Sequence, residues 1–149
     1  MNKEIWFRQK DARDNPAAAL VNLTHHLNVR VTRHTIEETL QAHPDYPNLL
    51  ALSDALTEWN VENTGVEAEL EHLGGEEMSF PAIAAMKRGF VMLTGLEDEH
   101  IRYIDPSEGR VREPFEEFGE KWTGVLILAE ADETSGEKDY ETARKKEIF

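Results

Sequence analysis

A chain of 149 residues with 40% hydrophobic and 31% charged content has the make-up of one globular domain able to bury a core, and not of a disordered segment. Its 16 Lys and Arg against 30 Asp and Glu leave a formal charge of −14, which repels phosphate backbones, excludes nucleic acid as a natural partner and favours cationic ones. The absence of Cys excludes disulfides, thiolate metal sites and any thiol nucleophile, and suits a reducing compartment.

The opening Met1-Asn2-Lys3-Glu4-Ile5-Trp6 has no apolar core of the kind a signal peptide carries. No apolar run reaches the roughly 20 residues needed to cross a bilayer. Asp14 or Asn15 can cap a first helix, with Pro16 in its first turn and Leu20, Leu23 and Leu27 on one face. Thr32 or Thr35 opens a second helix with Ile36 and Leu40 inward, and Thr35-Ile36-Glu37-Glu38 fits a capping box. The prolines of His43-Pro44-Asp45-Tyr46-Pro47 stop it. A third helix over Asn48–Trp59 carries Leu49, Leu52, Leu56 and Trp59 as a stripe.

Beyond Trp59 the pattern becomes stranded. Val61–Ala68 reads as a strand, Glu69–Leu73 as a helical turn closed by Gly74-Gly75, and Phe80–Met86 as a buried strand. Gly89–Leu96 and His100–Asp105 form an expected antiparallel pair, followed by a turn over Asp105–Gly109. Phe115–Trp122 reads as a short helix and Val125–Leu128 as an interior strand, apolar on both faces. Helices followed by an antiparallel sheet define an α+β domain over residues 1–130. Residues 131–149 read as a charged, solvated tail, or as a juxtamembrane linker with Arg144-Lys145-Lys146 ahead of Ile148-Phe149.

Three constellations carry little chemistry. His25, His26, His34 and His43 gather in the helical half, but the adjacent pair points about 100° apart on a helix and cannot share an ion, so no metal is expected. Val29–His43 resembles half of a helix-turn-helix, but Glu37 and Glu38 would face phosphate. Gly74-Gly75-Glu76-Glu77 lacks the Lys and Ser or Thr of a phosphate loop and reads as a plain loop.

In chain order, Gln9, the run Asp14-Asn15-Pro16-x-Ala18, Phe80-Pro81-Ala82-Ile83, Gly89-Phe90-Val91-Met92-Leu93, Ile104-Asp105-Pro106-x-x-Gly109, and Phe118 with Trp122-Thr123-Gly124 resemble the double-glycine, bacteriocin-processing cysteine peptidases over about residues 5–130. The resemblance implies a papain-like fold, a helical lobe packed on an antiparallel sheet. It sets Gln9 at the oxyanion-hole Gln, Asn15 at the nucleophilic Cys, Gly89 at the catalytic His, and Asp105 at the third triad member. Gln9 and Asp105 are retained, whereas the two proton-transfer partners are replaced. A carboxamide neither ionises nor attacks, and glycine cannot hold a proton. The expectation is therefore a non-enzyme with no cofactor, whose cleft around Gln9, Asn15, Gly89 and Asp105 grips a peptide or protein segment without cutting it. His100 follows closely but has no triad to complete and reads as a surface residue.

A narrower resemblance rests on His43-Pro44-Asp45-Tyr46-Pro47-x-Leu49-Leu50-Ala51-Leu52-Ser53-Asp54-x-Leu56 and Trp59-x-Val61-Glu62-Asn63. These are similar to peptidase-like N-terminal domains that precede a vitamin K epoxide reductase-type membrane domain and a thioredoxin-like domain. That resemblance implies a bacterial inner-membrane protein, an oxidoreductase or an exporter, with this domain on the cytosolic face and a membrane domain following residue 149. The alternatives are a purely structural or assembly domain and a residual peptidase; nothing in the pattern specifies an oligomeric state.

Overall fold

The computed structural model describes residues 5–75 and 78–148, with backbone alone from residue 146. The expectations placed on Met1–Glu4, on Glu76 and Glu77, on the Lys146 and Ile148 side chains and on Phe149 lie outside the described residues.

Three helices come first: α1 (Asn15–His26), α2 (Arg33–Gln41) and α3 (Leu49–Glu58). The small residues Ala17, Ala18 and Ala19 are buried in α1, allowing its backbone to lie close to the sheet while Leu20 and Leu23 fill the space beside them. Of the two caps open for α2, Thr32 is used: its Oγ1 accepts from Thr35 N–H at 3.2 Å, so the capping box beginning at Thr35 does not form. Leu52, Leu56 and Trp59 are buried as expected, while Leu49 is only partly covered.

Six strands follow: β1 (Glu62–Glu67), β2 (Ala82–Met86), β3 (Phe90–Glu97), β4 (His100–Asp105), β5 (Gly109–Pro114) and β6 (Trp122–Glu130). They form one antiparallel sheet in the order β1-β6-β2-β3-β4-β5. Alternation sends Ile83, Met92, Ile104 and Ile127 into one core with the three helices. Ala82, Ala84, Val91, Leu93, Ile101 and Leu126 face the opposite core, closed by Leu73, Phe118 and Trp122. Phe118 belongs to the short helix α4 (Phe115–Lys121), which spans β5 and β6. The result is the α+β, helix-on-sheet architecture expected.

The details depart from the sequence reading in three further places. β3 begins at Phe90 and not Gly89, because Gly89 (φ +79°) completes the turn from β2, where Met86 N–H donates to Gly89 O at 2.9 Å. β5 follows the Asp105–Gly109 turn and forms a strand not expected there. The segment read as leaving the domain at Ala131 stays on it as far as Glu137, before a final helix α5 (Tyr140–Ile148). Gly136 N–H donates to Trp59 O at 2.7 Å, and Glu137 N–H to Arg30 O at 2.9 Å. The Glu137 carboxylate accepts from Thr32 N–H at 2.6 Å and from Thr35 Oγ1–H at 2.7 Å.

This carboxylate thus binds the first turn of α2 from outside. Glu137→Ala should lower stability by about 1–2 kcal/mol, with Glu137→Gln intermediate, in urea unfolding followed by helix content. An unchanged midpoint for Glu137→Ala would show that the contact contributes nothing.

Candidate functional site

The site begins at the N-terminus of α1. Asp14 occupies the N-cap position but makes no capping bond; its carboxylate accepts from Lys10 N–H at 2.7 Å and pairs with Arg33 at 3.0 Å. The next side chain, Asn15, turns away from the helix towards β3 and is 8% exposed. Its Nδ2 donates to Gln9 Oε1 at 2.9 Å and to Phe90 O at 3.1 Å, and its Oδ1 accepts from Phe90 N–H at 2.6 Å.

The physical reason lies in the register. β3 pairs with β4 only from Met92–Ile104 onward, so Phe90, whose partner on the other side is Ala85 of β2, has no strand beside it on the β4 side. The Asn15 carboxamide, with a donor and an acceptor at peptide-like spacing, supplies what the missing strand would. Gly89 lies directly against it: a Cβ there would stand 2.6 Å from Asn15 Oδ1 and 2.7 Å from Cγ. An imidazole at position 89 is therefore incompatible with Asn15 in this pose, quite apart from the positive φ.

Asp105 ends β4. Its Oδ1 accepts from Ser107 N–H at 2.8 Å and from Ser107 Oγ–H at 2.7 Å, closing the turn to β5. The N-terminal segment straps this turn: Gln9 N–H donates to Pro106 O at 2.9 Å, and the Arg8 guanidinium to Ser107 O at 2.5 Å. Trp6 packs on Gly109, where φ is +98° and a Cβ would meet the indole at 2.8 Å.

Gln9, Asn15, Gly89 and Asp105, drawn from three separate stretches of chain, line one cleft of about 850 Å³. Its far wall holds a group the sequence reading missed. Tyr103 Oη–H donates to Glu113 Oε1 at 2.8 Å, and Lys121 Nζ–H to Glu113 Oε2 at 2.8 Å and to Tyr103 Oη at 3.3 Å. Burial, reinforced by the hydrogen bond to Glu113, pushes the Tyr103 phenol up to about 12. The same carboxylate raises the Lys121 ammonium above its ordinary value. With Lys87 and Arg88 on the exposed turn before Gly89 and Glu108 beyond Asp105, the cleft carries both signs of charge. It is not a uniformly acidic groove.

The histidines lie elsewhere. His100 starts β4, at the opposite end from Asp105, and its Nδ1 lies 2.7 Å from Asp98 O. His43 meets Asp54 at 2.7 Å, His34 meets Glu38 at 3.0 Å, and His25 packs edge-on against Phe7. Among the described residues no group of three or more His, Asp or Glu is placed to hold a metal ion. No helix among them is long and apolar enough to cross a membrane.

An antiparallel sheet covered by an N-terminal helical lobe is the arrangement of a papain-like peptidase domain. The chain belongs to the Peptidase C39 family, whose profile matches residues 3–134. Among solved structures it is similar to a double glycine motif protease from an AMS/PCAT transporter, determined in complex with the leader peptide. That domain is 26% identical, with a TM-score of 0.78 over 86% of this chain and 91% of the other. The peptidase domain of Streptococcus ComA, a bifunctional ABC transporter of a quorum-sensing pathway, is 19% identical, with a TM-score of 0.76 over 85% and 97%. The N-terminal peptidase C39-like domain of a toxin secretion ATP-binding protein from Vibrio parahaemolyticus is 17% identical, with a TM-score of 0.61 over 79% and 97%. No curated protein sequence matches the chain significantly.

Two outcomes follow from this geometry. Asn15→Ala strands both polar groups of Phe90 and should cost about 2–3 kcal/mol. Gly89→Ala should be destabilising alone but markedly less so in the Asn15→Ala background, because the collision is with the carboxamide; strictly additive unfolding energies would contradict the contact. The second outcome concerns pH. The fold holds the Tyr103 proton more tightly than the unfolded chain, so this contribution is complete below pH 10.0 and is lost as pH rises towards about 12. Tyr103→Phe should flatten that part of the stability profile; an identical alkaline decline in both proteins would contradict it.

Proposed function

We propose that this domain is a non-catalytic member of its family that holds a peptide or protein segment in the cleft beside Asn15. The observation that carries the reading is a cleft kept open and organised around positions that bear no nucleophile. The chain has no thiol, position 89 has no side chain, and Asp105 is spent on Ser107. Gln9 is likewise engaged by Asn15. Acyl transfer needs a nucleophile within hydrogen-bond reach of a base, and neither stands here. Peptide recognition needs a groove and main-chain partners, which do not depend on the thiol.

The 26% identical relative crystallised with a leader peptide supports a peptide of that extended kind as the ligand. That relative and the ComA domain are parts of transporters, which supports a place for this domain beside a membrane component. We take that component to follow residue 149, either a vitamin K epoxide reductase-type oxidoreductase or an exporter, with this domain at the cytosolic face. The tie of Glu137 to α2 favours a defined exit direction for α5 from the helical lobe.

Titration with a double-glycine leader peptide tests the proposal. Amide shifts should move at Gln9, Asn15, Gly89 and Asp105, with affinity on the order of micromolar because an extended peptide must be ordered on docking. Mass spectrometry should find the peptide intact. Cleavage by the unmodified chain would overturn the non-catalytic reading, and an unperturbed cleft would favour a structural or assembly role.

A further inference from the structure

The sheet has two edges, and they differ in sign. β1 carries Glu62 and Glu67 and no basic residue, whereas β5 carries Arg110 and Arg112. Together with Arg102 of β4, these arginines line a second concavity of about 330 Å³, on the helical side of the sheet beyond the end of α1. Three of 16 basic residues on a chain of net charge −14 therefore meet at one sheet edge.

Their placement is costly in the free protein. Arg102 stands directly across from Arg112, and like charges opposite one another on a sheet repel. Glu97 offers only long contacts, 3.7 Å to Arg102 Nε and 4.0 Å to Arg112 Nε. Among the described residues, Arg110 has no carboxylate within ion-pair distance.

The main chain at this edge is also open. Phe115 N–H donates to Glu99 O at 3.1 Å, so the pair 99–115 is a hydrogen-bonded one. Hydrogen-bonded and non-bonded pairs alternate along an antiparallel ladder, so Ile101–Glu113 and Tyr103–Val111 are bonded while Arg102–Arg112 and Ile104–Arg110 are not. The N–H and C=O of Arg110 and Arg112 accordingly point outward, and no other element among the described residues binds them. A strand laid there would gain four main-chain hydrogen bonds, place alternate side chains against the three arginines, and turn the others towards Val111 and Glu113 on the cleft side.

We propose that the β5 edge is a docking site for an acidic, extended segment of a partner protein, which adds as a seventh strand with its carboxylates on Arg102, Arg110 and Arg112. This surface is separate from the four positions around Asn15 and does not depend on the function proposed for them.

The test uses the whole chain and a blocked peptide of about seven residues alternating Glu and Val, with a Lys–Val counterpart as control. The Glu–Val peptide should slow hydrogen exchange at the Arg110 and Arg112 amides, and the Lys–Val peptide should not. Arg110→Glu with Arg112→Glu should weaken binding by at least about tenfold. Arg112→Pro, which removes an outward N–H without touching the β4 ladder, should weaken it while leaving the arginines of positions 102 and 110 in place. Binding indifferent to charge reversal would overturn the proposal, as would binding without amide protection. Equal perturbation by inorganic phosphate, or self-association through β5 that the peptide does not displace, would overturn it too.

Discussion

The contact on which this structure turns is the Asn15 carboxamide against the main chain of Phe90. One planar group joins the start of α1 to the start of β3, at the one place where β3 has run past its β4 neighbour. It also reaches back to Gln9, and so draws in the N-terminal segment that straps the β4–β5 turn. Helical lobe, sheet and strap meet at a side chain that is almost fully buried, with its donors and acceptor satisfied. A buried polar group so fully bonded fixes one arrangement, because any shift leaves amide groups stranded in a poorly hydrated place.

Gly89 follows from that contact. The carboxamide occupies the volume in which a Cβ at 89 would sit, so the two positions constrain one another sterically. On the proposed reading, loss of chemistry at both positions is one event physically: an amide suited to gripping Phe90 leaves no room for an imidazole beside it. The same reasoning explains how a cleft persists without a thiol. Its walls are set by the sheet, by the Glu113–Tyr103–Lys121 cluster and by the strapped turn, none of which requires a thiol.

The sequence made much of this legible, and for identifiable reasons. Leu20, Leu23, Ile36, Leu52 and Leu56 recur at helical spacing, and the apolar runs at Ala82–Met86 and Phe90–Leu96 need strands buried on both faces. The convergence of Gln9 and Asn15 with Gly89 and Asp105 was readable through their ordered resemblance to a family, since no local pattern links three stretches so far apart. β5 was not legible: Arg110-Val111-Arg112-Glu113 has a single apolar residue, as an edge strand with polar company can. The Glu113 cluster escaped because its partners lie 10 and 8 residues away across strands and a helix. The docking of Gly136 and Glu137 was hidden in the same way. It uses main-chain groups of Trp59 and Arg30 and the Thr32 N–H and Thr35 hydroxyl at the start of α2, which composition cannot reveal.

Hydrogen exchange at a single amide tests the central claim most directly. If the Asn15 carboxamide holds β3 to α1, the Phe90 amide in the intact chain should be as protected as those of Val91–Leu93 in the core. In Asn15→Cys, which replaces the carboxamide with a thiol, protection should fall at Phe90 and persist at Val91–Leu93. Rapid exchange of Phe90 in the intact chain, or protection unchanged by the substitution, would contradict the account.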